Sequence, residues 1–144
     1  MLTPLTRIDH MGIACVNLEE RISLYESAFG FTVVSREVNE EQGIREAVLE
    51  LAGGPPGSPY LQLLEPLRPD TAVGRFIARR GEGLHHIGYG VTDVAAAMAA
   101  LSTGGLQVID KRPRHGSMGA SIAFVHPSSV GGVLTELVQA ANEA

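Results

Sequence analysis

The sequence predicts an α+β domain built from two βαβββ modules in tandem, their strands forming a curved mixed sheet around a cleft. Three observations predict it. The first is a repeat: Ile8-Asp9-His10-Met11-Gly12-Ile13-Ala14 and Leu84-His85-His86-Ile87-Gly88-Tyr89-Gly90 share the spacing apolar residue, histidine, glycine within an alternating strand pattern. His86 follows His10 by 76 positions, and Asp93 follows Asn17 by the same 76, so a whole local unit has been copied. The second is that one helical pattern and three strand patterns follow each copy. The third is a polar residue in the last, otherwise apolar strand of each module: Gln62, 52 positions after His10, and Glu136, 50 after His86.

The elements follow from local patterns. Residues 7–16 alternate, with Ile8, His10, Gly12 and Ala14 on one side, as a strand does. Asn17 is an N-cap and Glu20 completes a capping box. Leu18, Ile22, Tyr25 and Phe29 give an inward stripe, and Gly30 stops the helix. Strands are expected over 31–38, 44–52 and 60–65, with Gly53-Gly54-Pro55-Pro56-Gly57-Ser58-Pro59 as a loop. A connecting helix is capped at Asp70 or Thr71, with Val73, Phe76 and Ile77 inward. The second module repeats the order: strand 84–91, helix 93–102, then strands 106–110, 120–126 and 132–139. The whole chain, 1–144, reads as a single domain, with module one at 7–66, the connecting helix at 67–83 and module two at 84–139. Each module is too small to bury both faces of its strands alone.

Composition narrows the function classes. With 44% apolar and 19% charged residues the chain is that of a soluble globular protein, and no window has the apolar length of a membrane span. Residues 1–7 contain no signal-peptide core. The net charge of −5 argues against a nucleic-acid surface. A single cysteine, Cys15, excludes an internal disulfide, so a cytoplasmic setting is expected.

If the modules pair with pseudo-twofold symmetry, His10, Gln62, His86 and Glu136 converge. Two imidazoles, an amide oxygen and a carboxylate suit a divalent transition metal and leave positions open for a chelating substrate, making the cleft metal-centred. A lone strand histidine is usually structural; a histidine duplicated in register is better explained by ligation. His85 should face away from His86, Glu65 away from Gln62, and His126, before Pro127, reads as structural. His115 lies in a glycine-rich turn where contact with a ligand is open. Glu46 reads, on its own strand, as a solvated edge carboxylate.

The segments Asn39-Glu40-Glu41-Gln42-Gly43-Ile44-Arg45-Glu46, Leu61-Gln62-Leu63-Leu64-Glu65-Pro66, Gly83-Leu84-His85-His86, Gly116-Ser117-Met118-Gly119, Phe124-Val125-His126-Pro127 and Gly131-Gly132-Val133-Leu134-Thr135-Glu136 carry a resemblance. The chain resembles the vicinal-oxygen-chelate superfamily, of glyoxalase/bleomycin-resistance-like fold, and within it the methylmalonyl-CoA epimerase family. The resemblance implies that His10, Gln62, His86 and Glu136 hold a divalent metal, Co2+ first, with Mn2+, Ni2+ or Zn2+ as alternatives. It implies that Glu46 is the catalytic base, and that Gly116, Ser117, Met118 and Gly119 contact substrate. It further implies interconversion of (2R)- and (2S)-methylmalonyl-CoA, or a related acyl-CoA, by proton removal and return at C2 through a metal-stabilised enolate, in a homodimer. The second acid/base is open, with Glu136 as a candidate. Where relatives carry a lysine after the His-Pro pair this chain has Ser128, and basic residues, Lys111, Arg112 and Arg114, precede its glycine-rich turn. Two other readings use the same fold: a glutathione-dependent glyoxalase (lactoylglutathione lyase), which typically has a carboxylate where this chain has Gln62, and a non-enzymatic small-molecule binding protein.

Overall fold

Alternation over the first repeat becomes strand β1 (Arg7–Ala14), and Asn17 then starts helix α1 (Leu18–Phe29), in the computed structural model, which describes residues 1–142. The Asn17 side chain accepts the Glu20 N–H at 3.1 Å. Gly30, at φ 73°, ends the helix in the left-handed conformation that costs a glycine nothing. Strands β2 (Phe31–Asn39), β3 (Ile44–Leu51) and β4 (Tyr60–Pro66) complete the first module. Helix α2 (Ala72–Arg80) begins at Thr71, whose hydroxyl accepts the Gly74 N–H at 3.0 Å. The second module comprises β5 (Gly83–Gly90), α3 (Val94–Thr103), β6 (Arg114–His115), β7 (Ser121–Val125) and β8 (Thr135–Gln139). Both modules are βαβββ, and the fold is the predicted α+β class.

The chain forms two compact units: His10–His85, and Met1–Asp9 together with the chain from His86 onward. In the first the strand order is β2-β3-β4-β1, with β1 and β4 parallel and the other pairs antiparallel. Leu18 and Ile22 of α1 bury against Ala47, Leu49, Leu61 and Leu63, while Val73 of α2 packs with Ala14, Ile44 and Leu64. In the second unit the order is β5-β8-β7-β6, again with one parallel pair, β5 and β8. Val94, Ala97, Met98 and Leu101 of α3 bury against Ala123, Val125 and Leu137. The residues before β1 join this unit, the Thr6 N–H donating to the Gly90 carbonyl at 2.8 Å.

Each helix start is tied to the last strand of its own module. The Leu18 N–H donates to Glu65 Oε2 at 2.7 Å, and the Val94 N–H donates to Gln139 Oε1 at 3.0 Å. These bonds satisfy donors that a first helical turn leaves without intrahelical partners. Glu65 thus points away from the side occupied by Gln62, as alternation requires.

Three expectations change. Residues 106–110 are not a strand: they run beside β7 with one bridge, Val108 to Val125, and the two-residue β6 forms later, at Arg114–His115. Pro113 has no N–H for a ladder, and the Asp110 carboxylate takes the Phe124 N–H at 2.8 Å. The last strand begins at Thr135 rather than 132, because Gly131 and Gly132, both at positive φ, keep the chain turning. Phe29 is two-thirds exposed, left at the end of α1 with a ring contact to Tyr25.

Cys15 is fully buried beneath α1, and burial, with the Glu65 carboxylate adding to it, pushes its thiol up to about 12. The thiolate is the reactive form, so Cys15 is inert in the native state. Ellman's reagent is expected to find no thiol at pH 8 in the native protein and one per chain in guanidinium chloride; rapid native labelling would contradict this.

Candidate metal and acid–base site

Strand alternation and register decide which side chains share a face, and each unit can be read alone. In the His10–His85 unit, Gly12 pairs with Gln62 across the parallel β1/β4 ladder, and Val48 pairs with Gln62 on the other side. Leu64 pairs with Glu46. His10, Gln62 and Glu46 therefore present to one face of these strands. All three are buried.

Glu46 is not the solvated edge carboxylate its strand alone indicated. Strand β3 is flanked on both sides by β2 and β4, and Glu46 is only 2% exposed. Its Oε2 accepts a hydrogen bond from Gln62 Nε2. A carboxylate can only accept, so this bond fixes the amide orientation and makes Oε1 the donor atom Gln62 can offer a cation.

The unit containing His86 repeats the arrangement. Gly88 pairs with Glu136 across the parallel β5/β8 ladder, and Phe124 pairs with Glu136 on its other side. His86 and Glu136 share a face, both buried, with Nε2 and Oε2 3.8 Å apart. That is too long for a hydrogen bond and close to the roughly 3.0–3.4 Å that neighbouring ligands of one divalent ion keep. Gly12 and Gly88 leave the position opposite each ligand-type residue without a side chain, as happens where a ligand approaches a strand closely.

The duplication does not extend to Glu46. Glu46 lies opposite Leu64, two residues past Gln62; the corresponding position, opposite Val138 and two past Glu136, is Ile122. The modules therefore do not supply a symmetric pair of carboxylates from β3 and β7.

The other histidines separate cleanly. His85 turns to the opposite side of β5, edge-on to Phe76 with ring centroids 4.9 Å apart, and burial pushes its imidazole down to about 4. His126 is structural: its Nδ1 accepts the Ser128 N–H and caps the short turn Pro127–Ser129. His115 is exposed on β6 opposite Ser121. Ser117, Met118 and Gly119 form a single 3-10 turn before β7, with Gly116 extended at its start. Met118 sits at φ 53°, uncommon for a residue with a side chain, and a Cβ on Gly116 would come within 2.5 Å of Ile122.

Sequence reasoning missed two sets of residues. One is the helix ties Glu65 and Gln139, which stand three positions after Gln62 and Glu136 with the same 74-residue offset between copies. That second offset was the available signal. The other is Phe124, which meets the His86 ring, with Arg114 and Asp110 behind it; module one has Val48 at the position of Phe124.

A family model described as "Glyoxalase/Bleomycin resistance protein/Dioxygenase superfamily" matches residues 9–124, and the chain belongs to that superfamily, in its methylmalonyl-CoA epimerase family. The chain is 50% identical to a solved methylmalonyl-CoA epimerase in complex with methylmalonyl-CoA and ammonium, covering 97% of this chain and 98% of that one at a TM-score of 0.92. It is also 50% identical to a Streptomyces coelicolor methylmalonyl-CoA epimerase variant in complex with 2-nitronate-propionyl-CoA, covering 96% and 99% at a TM-score of 0.91. A mitochondrial methylmalonyl-CoA epimerase of Dictyostelium discoideum is 32% identical over 133 residues, 91% of this chain and 76% of that protein.

Proposed function

We propose that this protein interconverts (2R)- and (2S)-methylmalonyl-CoA with the help of a divalent metal, and that Glu46 removes and returns the C2 proton on one face of the substrate. The observation that carries the reading is the buried Glu46 held by Gln62 on the face that also presents His10. A buried carboxylate is costly without a purpose or partners, and this one stands among donors of the kind a metal takes. Half of all positions are shared with an epimerase solved with methylmalonyl-CoA bound, over nearly the whole chain.

The donor set fits a metal chemically. We assign the metal to His10, His86 and Glu136, each buried in its own unit, with the amide oxygen of Gln62 as the fourth donor. Imidazole and oxygen donors suit cobalt(II), our first choice, and equally manganese, nickel or zinc. When bound, such an ion supplies a Lewis acid for the substrate's thioester and carboxylate oxygens, lowering the cost of the negative charge that develops as the C2 proton leaves. With one formal negative charge, on Glu136, the ligand set leaves a divalent ion net positive toward an anionic substrate.

The protein's own residues do the rest. Gln62 Nε2 holds the Glu46 carboxylate in place, so that Glu46 accepts the proton from a fixed direction. With Ile122 at the position corresponding to Glu46, the acid on the opposite face comes from elsewhere, and Glu136 is our candidate. The turn Gly116, Ser117, Met118 and Gly119 contacts the acyl-CoA. We further read the two modules as one working domain, the protein as a homodimer, and its setting as cytoplasmic; no helix among the described residues is long and apolar enough to cross a membrane.

The test is proton exchange. Protein stripped with a chelator and reloaded with cobalt is expected to exchange the C2 proton of methylmalonyl-CoA with solvent deuterium, monitored by NMR. Failure with every divalent metal, alongside turnover of the methylglyoxal–glutathione hemithioacetal, would establish the glyoxalase reading instead.

A further inference from the structure

Three residues of one unit, Phe124, Arg114 and Asp110, link in a chain that ends on the His86 ring. The Phe124 ring meets the His86 ring edge-to-face, with centroids 5.7 Å apart and planes at 86°. The Arg114 guanidinium lies over the Phe124 ring, 5.7 Å from its centroid. Arg114 Nε pairs with Asp110 Oδ1 at 2.9 Å, and the other carboxylate oxygen of Asp110 accepts the Phe124 backbone N–H at 2.8 Å. One carboxylate therefore holds both the main chain of Phe124 and the cation that covers its ring. The sheet register agrees: Arg114 pairs with Ile122 and Phe124 with Glu136, so Arg114, Phe124, Glu136 and His86 share a face.

We propose that Phe124 and Arg114 are positioning residues for the His86 imidazole, Phe124 fixing the plane of the ring and Arg114, anchored by Asp110, fixing Phe124. The proposal rests on the reading of His86 as a metal ligand. The χ2 torsion of histidine is broad, so covalent geometry alone leaves the plane of the imidazole undefined. A metal bond needs the nitrogen lone pair aimed along one direction, and groups outside the ligand set usually supply that aim. Here an aromatic wall does so, and the wall cannot swing because a cation–π contact and a backbone hydrogen bond pin it from the same carboxylate. The device belongs to one module only: the position corresponding to Phe124, beside Gln62, is Val48.

The test compares F124L, F124Y and R114M with the parent protein in two measurements. In metal-free protein, the His86 ring signals in a 15N–1H NMR spectrum carry the ring-current shift of Phe124; F124L should abolish it, R114M should alter it, and F124Y should retain it. In competition with a chromophoric chelator, F124L should bind cobalt about 10–100-fold more weakly, R114M should be weakened by less, and F124Y should restore the affinity together with the d–d absorption of the cobalt-loaded parent. Unchanged His86 signals in both F124L and R114M would overturn the proposal, as would F124L binding cobalt like the parent, or F124Y failing with F124L. If F124L does not fold, R114M decides by the same two measurements. If the parent binds no divalent ion, the metal reading fails, and the metal-free spectra still judge the positioning role.

Discussion

Glu46→Gln is expected to slow exchange of the C2 proton of methylmalonyl-CoA by about 10²–10⁴-fold, the range of a general base, while leaving the fold and metal affinity intact. The substitution is nearly isosteric, and a glutamine at this position can still accept the hydrogen bond from Gln62 Nε2 through its amide oxygen, so the buried contact survives. What it loses is basicity. The loss corresponds to about 3–5 kcal/mol of barrier, far more than a rearranged hydrogen bond between neutral groups would produce. Deuterium exchange followed by NMR measures the rate, a chelator competition measures the metal, and a melting curve measures the fold. Exchange at the parent rate would remove Glu46 from its role. Lost exchange with lost metal would instead mean that Gln62 depends on Glu46 for its orientation.

The second large effect separates two adjacent histidines. His86→Ala is expected to weaken metal binding by at least about 100-fold and to abolish exchange, because it deletes an assigned ligand rather than a residue that only orients one. It also removes a buried imidazole 3.8 Å from the Glu136 carboxylate and leaves a cavity there, so some stability goes with it. His85→Ala, one residue away, points to the other side of β5 and loses an edge contact with Phe76, worth about 0.5–1.5 kcal/mol of stability. Its metal affinity and exchange rate should match the parent. Equal metal loss in both variants, read by calorimetric titration, would contradict the strand phase on which the whole ligand set depends.

What could be read from the sequence was what is local and repeated. The 76-residue offset carried both the histidines and the helix caps Asn17 and Asp93, and both caps form as read. Alternation put His85 and His86 on opposite sides of a strand. It could not tell whether a strand lies at an edge or between neighbours, which is why Glu46 looked solvated until β2 and β4 closed around it. Nor could it foresee that Pro113 and Asp110 divert the chain and delay β6, since that outcome rests on a carboxylate bonding an amide fourteen residues away. The packing of Arg114 over Phe124 is of the same kind: partners ten residues apart with no periodic signature.

Those helix ties have a mechanical consequence. Gln62 and Glu65, like Glu136 and Gln139, are three residues apart on one strand, so they project to opposite sides of it. Each last strand is thus a lever with a ligand-type side chain on one side and a helix anchor on the other. A twist that re-aims the ligand must pull on the amide of Leu18 or Val94. Those two amides, buried from the chemistry by the thickness of a strand, are natural reporters: their hydrogen-exchange rates register how firmly the strand in front of them is seated.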